Sequence, residues 1–297
     1  MEQGKTPSIL IGVLLMVCVA TAVALDTVVV RLLVVDLHPF EIVFFRTLFS
    51  LVFMAPWIWR GGIAQFATKH PFLHLARAAG KLVALGAFFY AVSLMALADL
   101  TAIMFSMPLF AALGAWLFLG EKMRPLRMAA TILGFLGVLI VIRPGGDTMG
   151  VGALFAVGAA LIIAALGLAI KYLSAEEESQ TIVFWNVLLL TPMALLASIP
   201  VWTWPSWYAL AWLVFQGLLG VVAQLCFSKA LQFGDASTLV PIDFLRLPII
   251  AVIGFAAFGE VPGLWTWAGA TVIFLAVILL VRDERRRGGR SSLPEPS

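Results

Sequence analysis

The chain has 297 residues, of which 62% are hydrophobic and only 12% are charged, and its mean hydropathy is +1.06. Soluble domains average roughly 45–50% apolar and about 25% charged residues, so this composition excludes a soluble globular protein and makes the lipid bilayer its solvent. The net charge of +3 gives no basis for a nucleic-acid partner, because the charges fall at the ends of apolar segments.

Apolar segments of membrane-spanning length follow one another along the chain. About 20 apolar residues cross a hydrocarbon core about 30 Å thick. Windows of that length predict spans at residues 8–28, 40–59, 72–97, 100–119, 126–143, 149–172, 181–200, 207–231, 237–258 and 264–282. The third is the least apolar, because it contains Arg77 and Lys81. The sequence therefore predicts an all-α membrane protein with ten transmembrane helices.

The loops between these segments predict the orientation of the chain. With the N-terminus in the cytoplasm, the outer loops contain only Arg31 and Arg143. The inner segments then contain most of the basic residues, namely Lys5, Arg60, Lys69, Lys122, Arg124, Arg127, Lys171, Lys229 and the arginines of the tail. Basic residues favour the cytoplasmic side, so both termini are predicted to be cytoplasmic. Residues 283–297 are predicted to form a disordered basic cytoplasmic tail that touches anionic lipid at most.

Two stretches about half the chain apart are similar to each other. Pro108 to Ile142 and Pro248 to Val281 each begin with a Pro-led apolar helix, continue through a Gly-Glu pair and end in a second apolar helix. Five spans per half is an odd number, so the second half must enter the membrane upside down relative to the first. Residues 1–143 and 148–282 are thus predicted to form two inverted five-helix repeats around a central cavity, with the substrate site at their interface.

Four charged residues fall inside predicted spans: Arg46, Lys81, Asp243 and Arg246. A charge at mid-bilayer costs at least about 2.5–3.5 kcal/mol, so such residues face the bundle interior or a water-filled cavity. Lys81 is predicted to attract a substrate carboxylate. The alternatives are that it pairs with Asp243 or extends its stem toward the membrane surface, and Arg46 has that second alternative as well.

Asp243 and Arg246 are three residues apart and therefore share one helix face. They lie between Pro241 and Pro248, and each proline removes a backbone donor, which favours a kink. Pro108 leads the corresponding helix of the first half and predicts a kink there. The segment lines the cavity or locks the fold through an internal ion pair, and one residue pair can serve both roles.

Uncharged polar and aromatic side chains provide further candidates. A buried amide or phenol needs a hydrogen-bond partner, which is either another helix or the substrate. The candidates of this kind are Tyr90, Trp185, Asn186 and Gln224. The Gly-Glu pairs, by contrast, are interpreted as helix ends.

The sequence contains no motif that predicts catalysis. It has no His-Glu-x-x-His motif and no Gly-x-Ser-x-Gly turn. Cys18 and Cys226 both lie in apolar spans and indicate neither a disulfide framework nor a metal site. We therefore predict no enzyme activity, no metal and no cofactor.

Two halves that each carry Pro, followed twelve or thirteen residues later by the Glu of a Gly-Glu pair, resemble the drug/metabolite transporter superfamily in its EamA-type branch. Arg46 in Phe-Phe-Arg-Thr is similar to the second-span Arg of that branch, whereas Asp243 and Arg246 before Pro248 depart from its usual pattern. Within the branch, the chain most resembles the bacterial aromatic-amino-acid exporters. The resemblance implies a basket of ten helices in the bacterial inner membrane, no ATP-binding module and, by analogy alone, a homodimer.

These observations favour a secondary exporter of amino acids, preferably aromatic and other apolar ones, or of related small metabolites, working by alternating access. Lys81 and Arg246 would attract the substrate carboxylate, and Tyr90 and Trp185 would accept an apolar side chain. One alternative keeps the fold and transports a vitamin, a cationic drug or a nucleotide-linked compound. The other alternative is a membrane scaffold without transport.

Overall fold

The computed structural model describes residues 9–61, 67–119, 125–143, 150–173, 176–230, 233 and 240–291, and all regular structure in these ranges is helical. The α-helices are α1 (Ile9–Leu33), α2 (Pro39–Gly61), α3 (Pro71–Leu94), α4 (Leu97–Met104), α5 (Met107–Leu119), α6 (Pro125–Ile142), α7 (Val151–Leu173), α8 (Ser179–Ser198), α9 (Trp207–Ala230), α10 (Arg246–Phe258) and α11 (Leu264–Ser291). Two 3-10 helices cover Ile199–Val201 and Val240–Leu245.

The described residues form seven helical segments that are long and apolar enough to cross a membrane, counting α4 and α5 together. The sequence predicted ten spans. In α6 and α11 the apolar parts with described side chains are Met128–Ile142 and Leu264–Leu279, and in α11 the sequence stays apolar to Val281. The ninth predicted span is a 3-10 helix followed by the 13 residues of α10. The length and composition of the described residues therefore support a multi-pass all-α membrane protein.

The fourth and ninth predicted spans are both interrupted close to a proline. The fourth breaks at Phe105 and Ser106, and Pro108 is the second residue of α5. The ninth changes from 3-10 to α-helix at Arg246, so that Pro248 is the third residue of α10 and Pro241 lies in the 3-10 helix. Proline has no N–H to donate to the preceding turn and is best accommodated in the first turn of a new helix.

The last helix is longer than expected. The sequence predicted disorder from residue 283, but α11 continues to Ser291. Once a helix has formed, each added residue needs only one further backbone hydrogen bond, so a charged segment that follows an apolar helix can continue it. Residues 292–297 lie outside the described part of the chain.

The main helix contacts join the first half of the chain to the second. α6 packs along α11, α1 along α9, and α3 along α7. Their contact surfaces merge into one core, which includes Phe89, Leu100, Leu213 and Ile273, all fully buried. The two halves therefore form one interleaved bundle, and the inverted relation between them stays a prediction.

Candidate functional site

Four polar side chains from four helices meet in the middle of the bundle: Asp26, Arg46, Lys81 and Gln216. We call this group the polar centre. Arg46 Nε on α2 donates to Asp26 Oδ1 on α1 at 3.2 Å, and their side chains are only 21% and 11% exposed. In the apolar interior an ion pair of this kind holds α1 and α2 in one relative position, because each charge left alone would be strongly destabilising.

Lys81 lies near the middle of α3 and is half-buried. The charges of Arg46, Arg77 and Asp26 act on its ammonium, which places Lys81 beside the polar centre. Among the described residues, no carboxylate lies within ion-pairing distance of Lys81. The predicted pairing of Lys81 with Asp243 is therefore absent, because Asp243 is paired with Arg246 instead. The polar centre thus contains two cations and one anion.

Gln216 on α9 contributes the uncharged member of the polar centre. Its side chain is fully buried beside Asp26, yet neither its Nε2 nor its Oε1 has a hydrogen-bond partner of good geometry in the described structure. The next residue, Gly217, is placed where an added Cβ would lie 2.5 Å from Phe49 Cβ. Only glycine allows α9 to approach α2 this closely. Ser50 Oγ of α2 then donates to Gly217 O at 3.2 Å.

A row of polar side chains leads from the polar centre along α3 toward one membrane face. His74, Arg77 and Lys81 have helical spacing and therefore share a face of α3. Arg77 donates to His74 Nδ1 at 3.2 Å, and His74 Nε2 lies 2.8 Å from Glu177 Oε2. Because an arginine can only donate, His74 Nδ1 must accept, and the proton must sit on Nε2, where it is donated to Glu177.

Glu177 lies in the segment between α7 and α8, outside the spans, and also accepts a hydrogen bond from Thr68. Burial raises the pKa of Glu177, but the hydrogen bonds from Thr68 and His74 outweigh burial and hold the pKa below its usual range. Trp185 of α8 stacks on the His74 ring at 6.0 Å. This arrangement, which we call the His74 network, fastens α3 to the second half of the chain.

A second ion pair lies where the two interrupted spans meet. Arg246 donates to Asp243 Oδ2 at 2.7 Å, and its guanidinium lies 5.1 Å from the centroid of the Phe105 ring. Phe105 stacks on Phe244 at 4.1 Å. The break in the fourth predicted span therefore packs directly on the break in the ninth. Asp243 and Arg246 form an internal pair in this structure, which was one of the two sequence alternatives.

The Gly-Glu pair of the second half ends a helix and joins it to the first half. Gly259 has a φ of 68°, in the left-handed region that favours glycine, and ends α10. Glu260 then accepts the backbone N–H of Leu97 at 2.8 Å and pairs with Arg31 at 3.0 Å. The interpretation of this pair as a helix end is confirmed. Its counterpart, Gly120 and Glu121, lies outside the described residues.

The remaining predicted site residues lie away from the polar centre or in other contacts. Tyr90 is nine residues after Lys81, about 180° around α3 at 3.6 residues per turn, so the two do not share a face. Tyr90 is 42% exposed and contacts Phe155 edge-on. Trp185 belongs to the His74 network, Asn186 is half-buried on α8, and Gln224 is exposed two turns beyond Gln216.

Sequence reasoning missed Gln216 and assigned Asp26 no role. Each is a polar residue in a mostly apolar helix, and that interruption was the available signal. The described residues contain no group of three or more His, Cys, Asp or Glu side chains that could hold a metal. Chemically, the polar centre can donate and accept hydrogen bonds around a small organic molecule and can balance an anion.

Sequence comparison places the chain in a known group. The sequence profile of the EamA-like transporter family matches residues 10–143 and 150–282, which together make up most of the chain. The chain belongs to the EamA-like transporter family. As a member of this family it is a multi-pass membrane transporter, and a transporter agrees with the prediction that it is not an enzyme.

Several full-length relatives of this EamA-like chain have named substrates. It is 36% identical to a riboflavin transporter of Rhizobium johnstonii over 93% of each chain. It is 29% identical to an S-adenosylmethionine uptake transporter of Rickettsia bellii over 95% of this chain and 96% of the relative. These names correct the expected likeness to aromatic-amino-acid exporters within the family.

A solved structure has the same fold. It aligns with 94% of this chain, and the alignment covers 97% of that structure, with a TM-score of 0.63 and 17% sequence identity. This identity is low, so the match supports the helical architecture of the EamA-like chain alone.

Proposed function

We propose that this EamA-like transporter carries riboflavin, or a closely related uncharged vitamin, across the bacterial inner membrane, and that the polar centre is its substrate site. The structural observation that carries the proposal is Lys81, a cation near mid-span that has no carboxylate partner in the described part of the chain. The similarity to a riboflavin transporter over nearly the whole length supports the same substrate class.

The charge balance of the polar centre favours a neutral or anionic substrate over a cationic one. Arg46 and Lys81 outnumber Asp26, and the other intramembrane pair, Asp243 with Arg246, is neutral as a whole. S-adenosylmethionine carries a sulfonium and an ammonium against one carboxylate, so it would bring a net positive charge to a net positive site. Like charges in a low-dielectric interior repel strongly. Riboflavin has no charge at neutral pH and presents ring carbonyls that a lysine can bind.

Transport in this proposal proceeds by alternating access between two inverted halves. Arg31, at the end of α1, and His74, near the start of α3, lie at opposite faces because one span separates them. Arg31 is tied to Glu260 and His74 to Glu177, so each face has a connection between the first and second halves of the chain. Opening these connections in turn would expose the polar centre to one side at a time.

The direction proposed is inward, because the relatives whose names state a direction are uptake transporters. Both termini would be cytoplasmic, as the distribution of basic residues predicts. Export of amino acids, which the sequence alone favoured, has less support because the relatives named above carry other metabolites.

Uptake by proteoliposomes tests the proposal. Purified full-length protein is reconstituted and supplied separately with riboflavin, S-adenosylmethionine and tryptophan. We expect riboflavin to enter, and we expect Lys81→Ala and Lys81→Met to lower its uptake without lowering the amount of folded protein. Lys69→Ala is the matched control, since Lys69 is exposed just before α3. Uptake of S-adenosylmethionine or tryptophan without riboflavin would overturn the assignment, and wild-type uptake by both Lys81 variants would remove Lys81 from the site.

A further inference from the structure

We infer that Gln216 is a specificity-determining residue, and that with Asp26, Arg46 and Lys81 it holds the cyclic imide edge of a flavin-type ring. Such an edge is a row of carbonyl, N–H and carbonyl, that is, acceptor, donor and acceptor. The inference rests on the proposed function and specifies which part of the substrate the polar centre recognises.

The first reason is the burial and the incomplete hydrogen bonding of the Gln216 amide. The side chain is 0% exposed and interacts with the Asp26 carboxylate beside it, but neither Nε2 nor Oε1 makes a hydrogen bond of good geometry among the described residues. Leaving a buried donor or acceptor unpaired costs about 1–3 kcal/mol per group, and folded proteins rarely retain such groups without a functional reason. A leucine at this position would avoid the penalty in a helix that is mostly apolar. A ligand that supplies both partners would explain why an amide is present.

The second reason is the set of donors and acceptors that the polar centre offers. Lys81 and Arg46 can only donate, the Asp26 carboxylate can only accept, and the Gln216 amide can do both. Together they supply a donor, an acceptor and a further donor. This pattern is complementary to an imide edge, with the N–H directed to Asp26 or to Gln216 Oε1 and the two carbonyls receiving N–H groups from the cations and from Gln216 Nε2.

The third reason is the way in which α9 presents the amide. Gly217 brings α9 against α2 beside Gln216, and one turn later a Cβ added to Gly220 would lie 3.6 Å from Arg46 Nη2. The Arg46 guanidinium therefore lies along α9 close to the amide. Arg46 and Asp26 keep part of their surface accessible, whereas Gln216 is covered. A ring that displaces Arg46 from Asp26 would reach the amide and would replace the hydrogen bond that it breaks.

Flavin fluorescence provides the test. Full-length protein in lipid nanodiscs is titrated with riboflavin and with N3-methylriboflavin. In the second compound a methyl group replaces the hydrogen of the imide N–H. We expect wild-type protein to bind riboflavin at least about tenfold more tightly than the methylated compound, the effect of one lost hydrogen bond of about 1.4 kcal/mol. Gln216→Leu should weaken riboflavin binding by a similar factor and bring the two flavins closer in affinity. Thr271→Val, which removes a polar group from an exposed position on α11, should leave both affinities unchanged.

The outcomes separate this inference from the proposed function. Equal binding of the two flavins by wild-type protein overturns the inference and leaves riboflavin transport standing, and this measurement needs no variant to fold. Unchanged riboflavin affinity in Gln216→Leu also overturns it. Binding of neither flavin overturns both proposals. Thermal unfolding gives a further readout: an unpaired amide that serves a ligand predicts that Gln216→Leu is at least as stable as wild type without ligand, whereas a loss of stability would assign Gln216 a structural role.

Discussion

Glu260 pairs with Arg31 at 3.0 Å and thereby connects the end of α10 to the end of α1. Its second carboxylate oxygen accepts the N–H of Leu97, an otherwise unpaired donor at the start of α4. Arg31 in turn donates to the carbonyl of Val92 near the end of α3. One glutamate thus holds four helices together at one membrane face, which gives the Gly-Glu motif of the second half a structural purpose.

Removal of this carboxylate should destabilise the protein. Glu260→Ala leaves Arg31 without its anion and Leu97 without its acceptor, so we expect a loss of about 2 kcal/mol, typical of a hydrogen bond to a charged group. Glu260→Gln should lose less, because its amide oxygen can still accept from Leu97. The unfolding temperature in detergent measures both. Asp36→Ala, an exposed carboxylate at the same end of α1, is the control. Equal unfolding temperatures for Glu260→Ala and wild type would contradict the prediction.

Asp243 and Arg246 should stabilise the folded protein as an ion pair rather than as two independent charges. Arg246→Gln leaves the Asp243 carboxylate without its cation and also removes the contact with Phe105. We expect this variant to lose about 2 kcal/mol of stability. The double variant Asp243→Asn with Arg246→Gln should recover part of the loss, because no unpaired charge remains. Additive losses in a double-mutant cycle would show that the two side chains do not interact.

The His74 network should make the free energy of unfolding depend on pH in the acid range, because it contains the carboxyl group of Glu177. The pKa of Glu177 is lowered from its ordinary value of 4.5 in the folded protein, so the unfolded chain binds this proton first as the pH falls. The stabilisation is therefore complete above about pH 4.5 and disappears as the pH drops through the lower folded value.

Replacing Glu177 by Gln should remove this contribution. We expect Glu177→Gln to be less stable than wild type at neutral pH and the difference to shrink under acid conditions. Glu178→Gln is the matched control, since Glu178 is the next residue and is exposed. Thermal unfolding of the three proteins across the acid range gives the comparison. A difference between wild type and Glu177→Gln that stays constant with pH would refute the assignment.

The two native cysteines are free, and their oxidation to a disulfide would crosslink the halves of the chain. Cys18 Sγ on α1 and Cys226 Sγ on α9 are 3.7 Å apart. A small adjustment would allow a disulfide, and copper phenanthroline would serve as the oxidant that removes the two electrons and two protons. We expect oxidation to block maleimide labelling of both thiols and to slow uptake, because α1 and α9 could then no longer separate. Reduction should restore uptake, and Cys18→Ser should be insensitive to the oxidant.

An outcome in which the crosslink forms and uptake continues at its original rate would show that α1 and α9 move together. Alternating access would then have to occur at other contacts, such as those of α3 with α7.

Several features of the fold were predictable because they depend on local sequence. The positions of Pro108 and Pro248 predicted kinks in the fourth and ninth spans, since a proline affects the hydrogen bonds of its own turn, and the structure has a break near each of them. Gly259 predicted a helix end for a similar reason. The continuation of α11 to Ser291 was missed, because the charged composition was read as disorder.

The candidate site was less predictable. Lys81 and Arg46 were identified because a charge in an apolar span is conspicuous wherever it packs. Tyr90 was grouped with Lys81 although nine residues of helix place them on opposite faces. Gln216 was missed because α9 carries two glutamines and the sequence does not show which one faces the bundle interior. Its neighbours Asp26 and Arg46 belong to distant parts of the chain.

The sequence by itself determined that this is a membrane protein with two related halves, similar to known transporters. It also determined that prolines bend particular helices and that Gly259 ends one of them. Apolar length, proline and glycine act within a turn or two of the chain, so these properties can be read locally. Only the tertiary structure decided that Asp26 pairs with Arg46, that Asp243 pairs with Arg246, and that Lys81 is left without an anion among the described residues. Lipid-facing and helix-facing apolar surfaces are chemically alike, so the rotation and neighbours of each helix are set by side-chain packing and polar contacts that no single segment specifies.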